Sequence, residues 1–144
     1  MKREPDVVYQ SIAETHLSNI LISVVDDNPS VCEATQRLLR SLGFTVEAFS
    51  SAAEFLRSPR LEDTSCLILD VHMPGITGFQ LQSLLIAGGH SIPTIFISST
   101  GDDVRRTLAM RAGAVEFLPK PFNDEALLQA IRLALNSSER REGT

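Results

Sequence analysis

Three acidic residues and one lysine stand where apolar segments of the chain end. Asp26 and Asp27 follow the run ILISVV, Asp70 follows CLIL, and Lys120 comes two residues after VEFL. Because the carboxyl ends of parallel strands share one edge of a sheet, we expect these four side chains to meet there. Adjacent carboxylates repel one another unless a cation neutralises them, and Mg²⁺ is a hard ion that prefers such oxygens. The pattern predicts a site for Mg²⁺ and a phosphoryl group.

The chemistry expected at this edge differs from one residue to the next. A carboxylate can act as a nucleophile and form an aspartyl phosphate. Asp70 is the candidate because it stands alone ahead of a Pro/Gly loop, whereas Asp26 and Asp27 are paired for metal binding. Lys120 would supply positive charge for the phosphoryl oxygens, and the hydroxyl of Ser98 would donate to one of them.

Strand-like and helix-like segments alternate along the chain, which predicts an α/β fold with five strand–helix pairs around a parallel sheet. Asn28 and Pro29 have the types of an N-cap and first helical residue, and Ser51 with Glu54 has capping-box spacing. We expect an N-terminal extension over residues 1–19, one domain over 20–136, and a C-terminal tail or the start of a linker over 137–144. Strands are predicted at 20–25, 45–49, 66–69, 94–97 and 115–118, with later helices near 79–87, 103–112 and 124–135.

Composition limits the function further. A chain of 144 residues with 43% hydrophobic composition fits one globular domain. The net charge is −5 and no Lys/Arg run exceeds two residues, so we expect no direct nucleic acid contact. The chain has no apolar run long enough for a membrane span and no signal-peptide pattern at its start, so we predict no membrane association and a cytoplasmic location. Cys32 and Cys66 are expected to be buried free thiols.

Four motifs, in order, resemble the response-regulator receiver domains of two-component signalling, over residues 20–136. They are VVDDNPSV, LILDVHMPGITG, FISSTGD and AGAVEFLPKPF. Among receivers the chain is most similar to nitrogen-fixation and nodulation regulators of the FixJ type. The resemblance implies a five-stranded, doubly wound (βα)5 flavodoxin-like fold with strand order 2-1-3-4-5.

The resemblance also implies a role for each site residue. Asp70 would be phosphorylated and would also be a ligand of Mg²⁺. Asp27 and the backbone carbonyl of His72 would bind the ion directly, and Asp26 mainly through water. Ser98 would be the switch hydroxyl, in place of the usual threonine. Phe117 would be the rotating switch aromatic, and the Lys120–Pro121 peptide would be cis. His72 and Thr100 would flank the path of the water that attacks the phosphoryl group. From the residues themselves, Arg105 and Arg106 are expected to be solvated or, on the fourth helix, to meet a partner.

The function expected from the resemblance is a phosphorylation switch rather than a turnover enzyme. A sensor histidine kinase would donate to Asp70, and the surface of the fourth helix, fifth strand and fifth helix would change to control an output domain, a downstream protein or a phosphorylation-dependent homodimer. A Mg²⁺-dependent phosphatase or phosphotransferase with an aspartate nucleophile is the alternative, although His72 stands where such an enzyme would need a second acid. A receiver that works by binding alone, unphosphorylated, is a third hypothesis.

Overall fold

The structure is a computed structural model that describes residues 19–99 and 103–143, with side chains described as far as residue 136. Five strands and five helices alternate along the described residues, and a 3₁₀ turn at Leu61–Asp63 precedes the third strand. The strands are β1 (Leu21–Val25), β2 (Thr45–Phe49), β3 (Thr64–Asp70), β4 (Thr94–Ser98) and β5 (Glu116–Pro119). The helices are α1 (Pro29–Ser41), α2 (Ala52–Leu56), α3 (Gly78–Ala87), α4 (Asp103–Arg111) and α5 (Asp124–Gly143).

All five strands are parallel and lie in the order β2-β1-β3-β4-β5. The order reverses between β1 and β3, which makes the carboxyl ends of these two strands the topological switch point of the sheet. The predicted fold class and strand order are confirmed. The Asp70 end of β3 therefore lies where this architecture places ligands.

Helices cover both faces of the sheet, and this explains the continuous apolar runs in the sequence. Every residue of β1 and β4 is buried, as in strands that have no solvent-facing side. One buried cluster includes Ile22, Leu39 and Ile131, and a second, on the other face, includes Phe55 and Leu81. Burial on two faces fixes the sheet and holds the strand ends in place.

Side-chain caps begin several helices. The Asn28 carboxamide oxygen accepts from the backbone N–H groups of Ser30 and Val31, as its type predicted. Ser51 accepts from the backbone of Glu54, but the Glu54 carboxylate accepts from the N–H of Ser50 rather than completing the predicted box. A full capping box instead joins Thr77 and Gln80 at the start of α3.

Two boundaries differ from the sequence prediction by two residues or more, and several others by one. Strand β3 begins at Thr64, two residues before the predicted start. The Thr64 hydroxyl forms a hydrogen bond with the Ser23 hydroxyl at 2.8 Å inside the sheet, so a polar residue is accommodated in a buried strand that the apolar pattern does not indicate. Helix α5 continues to Gly143 instead of ending near residue 136, since the added segment is rich in Glu and Arg, which favour helix. Residues 1–18 and Thr100 lie outside the described residues. Within the described ranges no helix is both long and apolar enough to cross a bilayer.

Candidate functional site

The register of the sheet brings the predicted residues together one strand at a time. Val25 pairs with Leu69, so Asp26 and Asp70 follow at equivalent positions of neighbouring strands. Asp70 in turn pairs with Ile97, the residue before Ser98. Ser98 pairs with Pro119, the residue before Lys120, and its carbonyl accepts from the Lys120 N–H at 2.7 Å.

Three carboxylates and one ammonium converge at this edge. Asp26, Asp27 and Asp70 each offer an oxygen, and these oxygens all lie within 4.8 Å of one another. Lys120 Nζ lies 2.8 Å from Asp26 Oδ2 and 3.4 Å from Asp70 Oδ1. Asp26 and Asp70 are buried while Asp27 is exposed, so the cluster opens to solvent on the Asp27 side.

Asp26 is held by the backbone around it, with only 1% of its surface exposed. Its Oδ1 accepts from the Asn28 N–H at 2.9 Å, and its backbone oxygen accepts from the Cys32 thiol at 3.2 Å. Among the described residues, Oδ2 has no aligned hydrogen-bond donor, only the ion pair with Lys120. Carboxylate oxygens that lie this close together, with one buried oxygen lacking a hydrogen bond, are suited to bind a hard divalent cation such as Mg²⁺.

The charges of the site shift one another. Burial raises the pKa of Asp70 to about 6, and the Asp26 carboxylate adds to this, whereas Lys120 and the backbone N–H of His72 lower it. Burial lowers the pKa of the Lys120 ammonium, but the two carboxylates beside it outweigh burial, so its pKa is raised. At neutral pH the site therefore holds a carboxylate at Asp70 and an ammonium at Lys120.

The remaining predicted residues lie around this cluster. Ser98 is fully buried at the end of β4, next to the Asp70 strand. The His72 side chain is exposed, and its backbone N–H faces the Asp70 carboxylate. The Lys120–Pro121 peptide is cis.

Phe117 and Arg106 make contacts that link β5 to the helices beside it. The Phe117 ring is buried, only 2% exposed and part of the cluster on the α2–α4 face. Arg106 is exposed, as expected, but its guanidinium also donates to the Phe117 carbonyl at 2.9 Å and to a Glu116 carboxylate oxygen at 3.0 Å. A long side chain that reaches ten residues along the chain gives no periodic signal that sequence reasoning could find.

Gly78 is a further site residue whose role the sequence did not reveal. It begins α3, and its N–H donates to the Val71 carbonyl at 3.0 Å. A Cβ at this position would collide with the Asp70 carbonyl oxygen and lie 3.0 Å from the Val71 Cα. The absence of a side chain here lets α3 approach the backbone of Asp70. From the sequence alone, Gly78 near the Pro74–Gly75 loop predicts only a break in structure before the helix.

Comparison with known proteins agrees with this geometry. A sequence profile described as the response regulator receiver domain matches residues 22–132. The chain belongs to this family. It is 48% identical over 115 residues to the response regulator protein TodT of Pseudomonas putida, covering 80% of this receiver and 51% of that protein. Nodulation protein W of Bradyrhizobium diazoefficiens is 42% identical over 121 residues, or 84% of this receiver and 53% of the relative.

Solved structures extend the likeness to three dimensions. The structure of the response regulator StyR superposes with a TM-score of 0.80 and 46% identity, over 87% of this receiver and 63% of that chain. The predicted resemblance to receivers, including nodulation regulators, is confirmed. This receiver spans about half the length of the curated relatives it matches.

Proposed function

We propose that this receiver accepts a phosphoryl group on Asp70 from the phosphohistidine of a sensor histidine kinase. The observation that carries the proposal is the convergence of three carboxylate oxygens within 4.8 Å of one another, with the Lys120 ammonium 3.4 Å from Asp70 Oδ1. A lone buried carboxylate beside an ammonium is a nucleophile with a partner for the oxygens of its product. The paired acids next to it are ligands for a divalent cation.

In the proposed step an Asp70 carboxylate oxygen attacks phosphorus in line with the bond to the imidazole nitrogen. The new O–P bond forms as the N–P bond breaks, and the electron pair stays on the nitrogen of the departing kinase histidine. Lys120, whose Nζ lies 3.4 Å from Asp70 Oδ1, and the buried Ser98 hydroxyl would donate to oxygens of the transferred group. Mg²⁺, held by Asp26, Asp27, Asp70 and the His72 carbonyl, would neutralise charge on those oxygens when bound.

The proposed product acts as a switch rather than as an intermediate in turnover. The acyl phosphate would draw Ser98 toward Asp70 and repack the α4–β5–α5 surface around Phe117. An output domain or a downstream protein would then read that surface, and relatives about twice as long leave room for such a domain. We place the switch in the cytoplasm, where its two buried free thiols, Cys32 and Cys66, stay reduced.

Labelling with acetyl phosphate and Mg²⁺ tests the assignment of the phosphorylated residue. Intact-mass spectra of the wild type should show one added phosphoryl group, and Asp70→Asn should show none. Asp63→Asn is the matched control, because Asp63 is an exposed acid at the other end of β3. Persistent labelling of Asp70→Asn would overturn the assignment.

The same preparation separates the switch from the other hypotheses. Stoichiometric labelling that decays supports a switch, whereas multiple turnover of p-nitrophenyl phosphate supports a phosphatase. Amide shifts at Asp27 and Asp70 on adding Mg²⁺, with no phosphoryl uptake, support a receiver that works by binding alone.

A further inference from the structure

Helix α4 is thinly anchored to the rest of the domain. Among its residues only Ala109 is buried. Its larger apolar side chains point to solvent: Val104 is 69% exposed, Leu108 is 52% exposed and Met110 is 40% exposed. One methyl group buries little apolar surface, so hydrophobic packing alone holds this helix weakly. Polar contacts must then decide where α4 sits.

Arg106 supplies such contacts from the first half of the helix. Its Nη1 donates to the Phe117 carbonyl at 2.9 Å, and its Nη2 donates to Glu116 Oε1 at 3.0 Å. The same Glu116 oxygen accepts from the Phe117 N–H at 3.0 Å. The three bonds form a closed ring of contacts around the Phe117 peptide, which we call the Arg106 clamp. A guanidinium suits this arrangement because its planar fork reaches two acceptors at once.

The residue that the clamp grips is connected to the phosphoacceptor edge. Phe117 lies on β5, three residues before Lys120, whose ammonium contacts Asp26 and Asp70. The Phe117 ring packs in the same buried cluster as Ala109 of α4. The clamp and this small apolar contact therefore attach α4 to the strand that carries the site lysine.

We propose that Arg106 is a positioning residue that couples α4 to the Phe117 backbone, so that a change at Asp70 reaches the exposed apolar face of α4. The inference rests on the proposed function for its signal, but the clamp exists without it. Removing the clamp leaves Asp70, Lys120 and the carboxylate cluster intact. A variant without the clamp therefore allows phosphoryl uptake at Asp70 and the response of α4 to be measured separately.

Amide hydrogen exchange tests the clamp in the absence of any phosphoryl donor. Arg106→Gln and Glu116→Gln should each speed exchange of α4 amides by about tenfold, as expected for loss of a charge-assisted contact. The double variant should exchange no faster than Arg106→Gln, because that substitution already removes both contacts of the guanidinium, including the one to Glu116. Arg111→Gln removes a charge from the same helix and should leave the rates within about twofold. Unchanged rates in Arg106→Gln, or additive effects in the double variant, overturn the clamp.

Amide NMR after acetyl phosphate labelling tests the coupling. In the wild type, resonances of α4 should shift when Asp70 is labelled. In Arg106→Gln, labelling should reach the same extent, yet the α4 shifts should fall below about half of the wild-type values. Arg106→Lys keeps the charge but reaches one acceptor at a time, so it should restore part of the response.

The outcomes distinguish the two proposals. Full α4 shifts in labelled Arg106→Gln overturn the coupling while the proposed function stands. A wild-type chain that takes up no phosphoryl group overturns the proposed function and the transmission with it, and the exchange rates then decide the clamp on their own.

Discussion

Asp70 carries a charge in a place that disfavours charge. Burial and the Asp26 carboxylate raise its pKa to about 6, against the lowering effect of Lys120. A carboxyl group with a raised pKa binds its proton more tightly in the folded chain than in the unfolded one. Holding it ionised therefore reduces the stability of the fold, and this cost keeps the carboxylate reactive.

This cost predicts an inverted pH dependence at residue 70. The unfolded-state pKa of Asp is about 3.9, so between about pH 4 and pH 6 the folded state binds more protons, and the free energy of unfolding falls as pH rises. Asp70→Asn removes the charge. Without Mg²⁺ it should be more stable than the wild type at about pH 7.5, by about 1 to 2 kcal/mol, with the gap closing near pH 4.5. Urea unfolding at both pH values measures this, and a variant less stable than the wild type at pH 7.5 would contradict it.

The three clustered carboxylates predict stabilisation by Mg²⁺. A ligand that binds the folded state alone adds to the free energy of unfolding, by about 2.7 kcal/mol at a concentration of 100 times Kd. Millimolar Mg²⁺ should raise the urea midpoint of the wild type above its value in EDTA. Asp27→Asn should lose most of this increase, because it removes one of the three clustered carboxylates. Asp27 is the exposed member of the cluster, so the substitution should disturb little packing.

NaCl at matched ionic strength is the control for general screening in that measurement. An equal effect of Mg²⁺ on the wild type and on Asp27→Asn would argue against a site at this cluster.

At the scale of elements, the close approach of α3 to β3 depends on one glycine. A Cβ at Gly78 would collide with the Asp70 carbonyl oxygen, which belongs to the backbone and cannot rotate away. Gly78→Ala should therefore destabilise the domain by about 1 to 3 kcal/mol and slow labelling of Asp70. Gly88→Ala is the control, because Gly88 has a φ of −84° and the nearest atom to an added Cβ belongs to the His90 side chain, at 3.3 Å. Equal unfolding free energies for the two variants would contradict this account.

The elements show how far sequence reasoning reached. Strands β1 and β4 were predictable because burial on both faces demands unbroken apolar runs, and α1 because Asn28 caps it. The start of β3 was not predictable, since the Ser23–Thr64 hydroxyl pair hides polar residues inside the sheet. Strand ends indicated which acids would share an edge. Only the pairing of Val25 with Leu69 fixes how closely they meet.

The contacts missed from the sequence are those between elements. The reach of Arg106 to β5 and the fit of Gly78 against Asp70 depend on how helices pack on the sheet, which local patterns do not encode. The burial of the Phe117 ring likewise depends on packing between elements, which its residue type alone does not determine. Local chemistry thus predicted the members of the site, and tertiary packing determined how they are linked.

At the scale of the whole molecule, the site and the exposed apolar residues lie on different elements. The carboxylates gather at the ends of β1 and β3, while Val104 and Leu108 lie one turn apart on α4, with exposed fractions of 69% and 52%. Residues four apart share a helix face, so these two side chains form one apolar patch. Such a patch is a candidate surface for a second copy of the chain in the labelled state.

Sedimentation velocity before and after labelling tests this proposed homodimer. Wild-type receiver should be largely monomeric without a donor and should shift toward a dimer with acetyl phosphate and Mg²⁺. Leu108→Asp should weaken the labelled dimer at least tenfold, about 1.4 kcal/mol, because it places a charge in the patch. Leu84→Asp is the matched control, since Leu84 is 49% exposed on a different helix, α3. Because neither residue contacts the carboxylate cluster, both variants should be labelled as fast as the wild type. Loss of the dimer in Leu84→Asp together with its retention in Leu108→Asp would contradict this prediction and indicate an interface on α3.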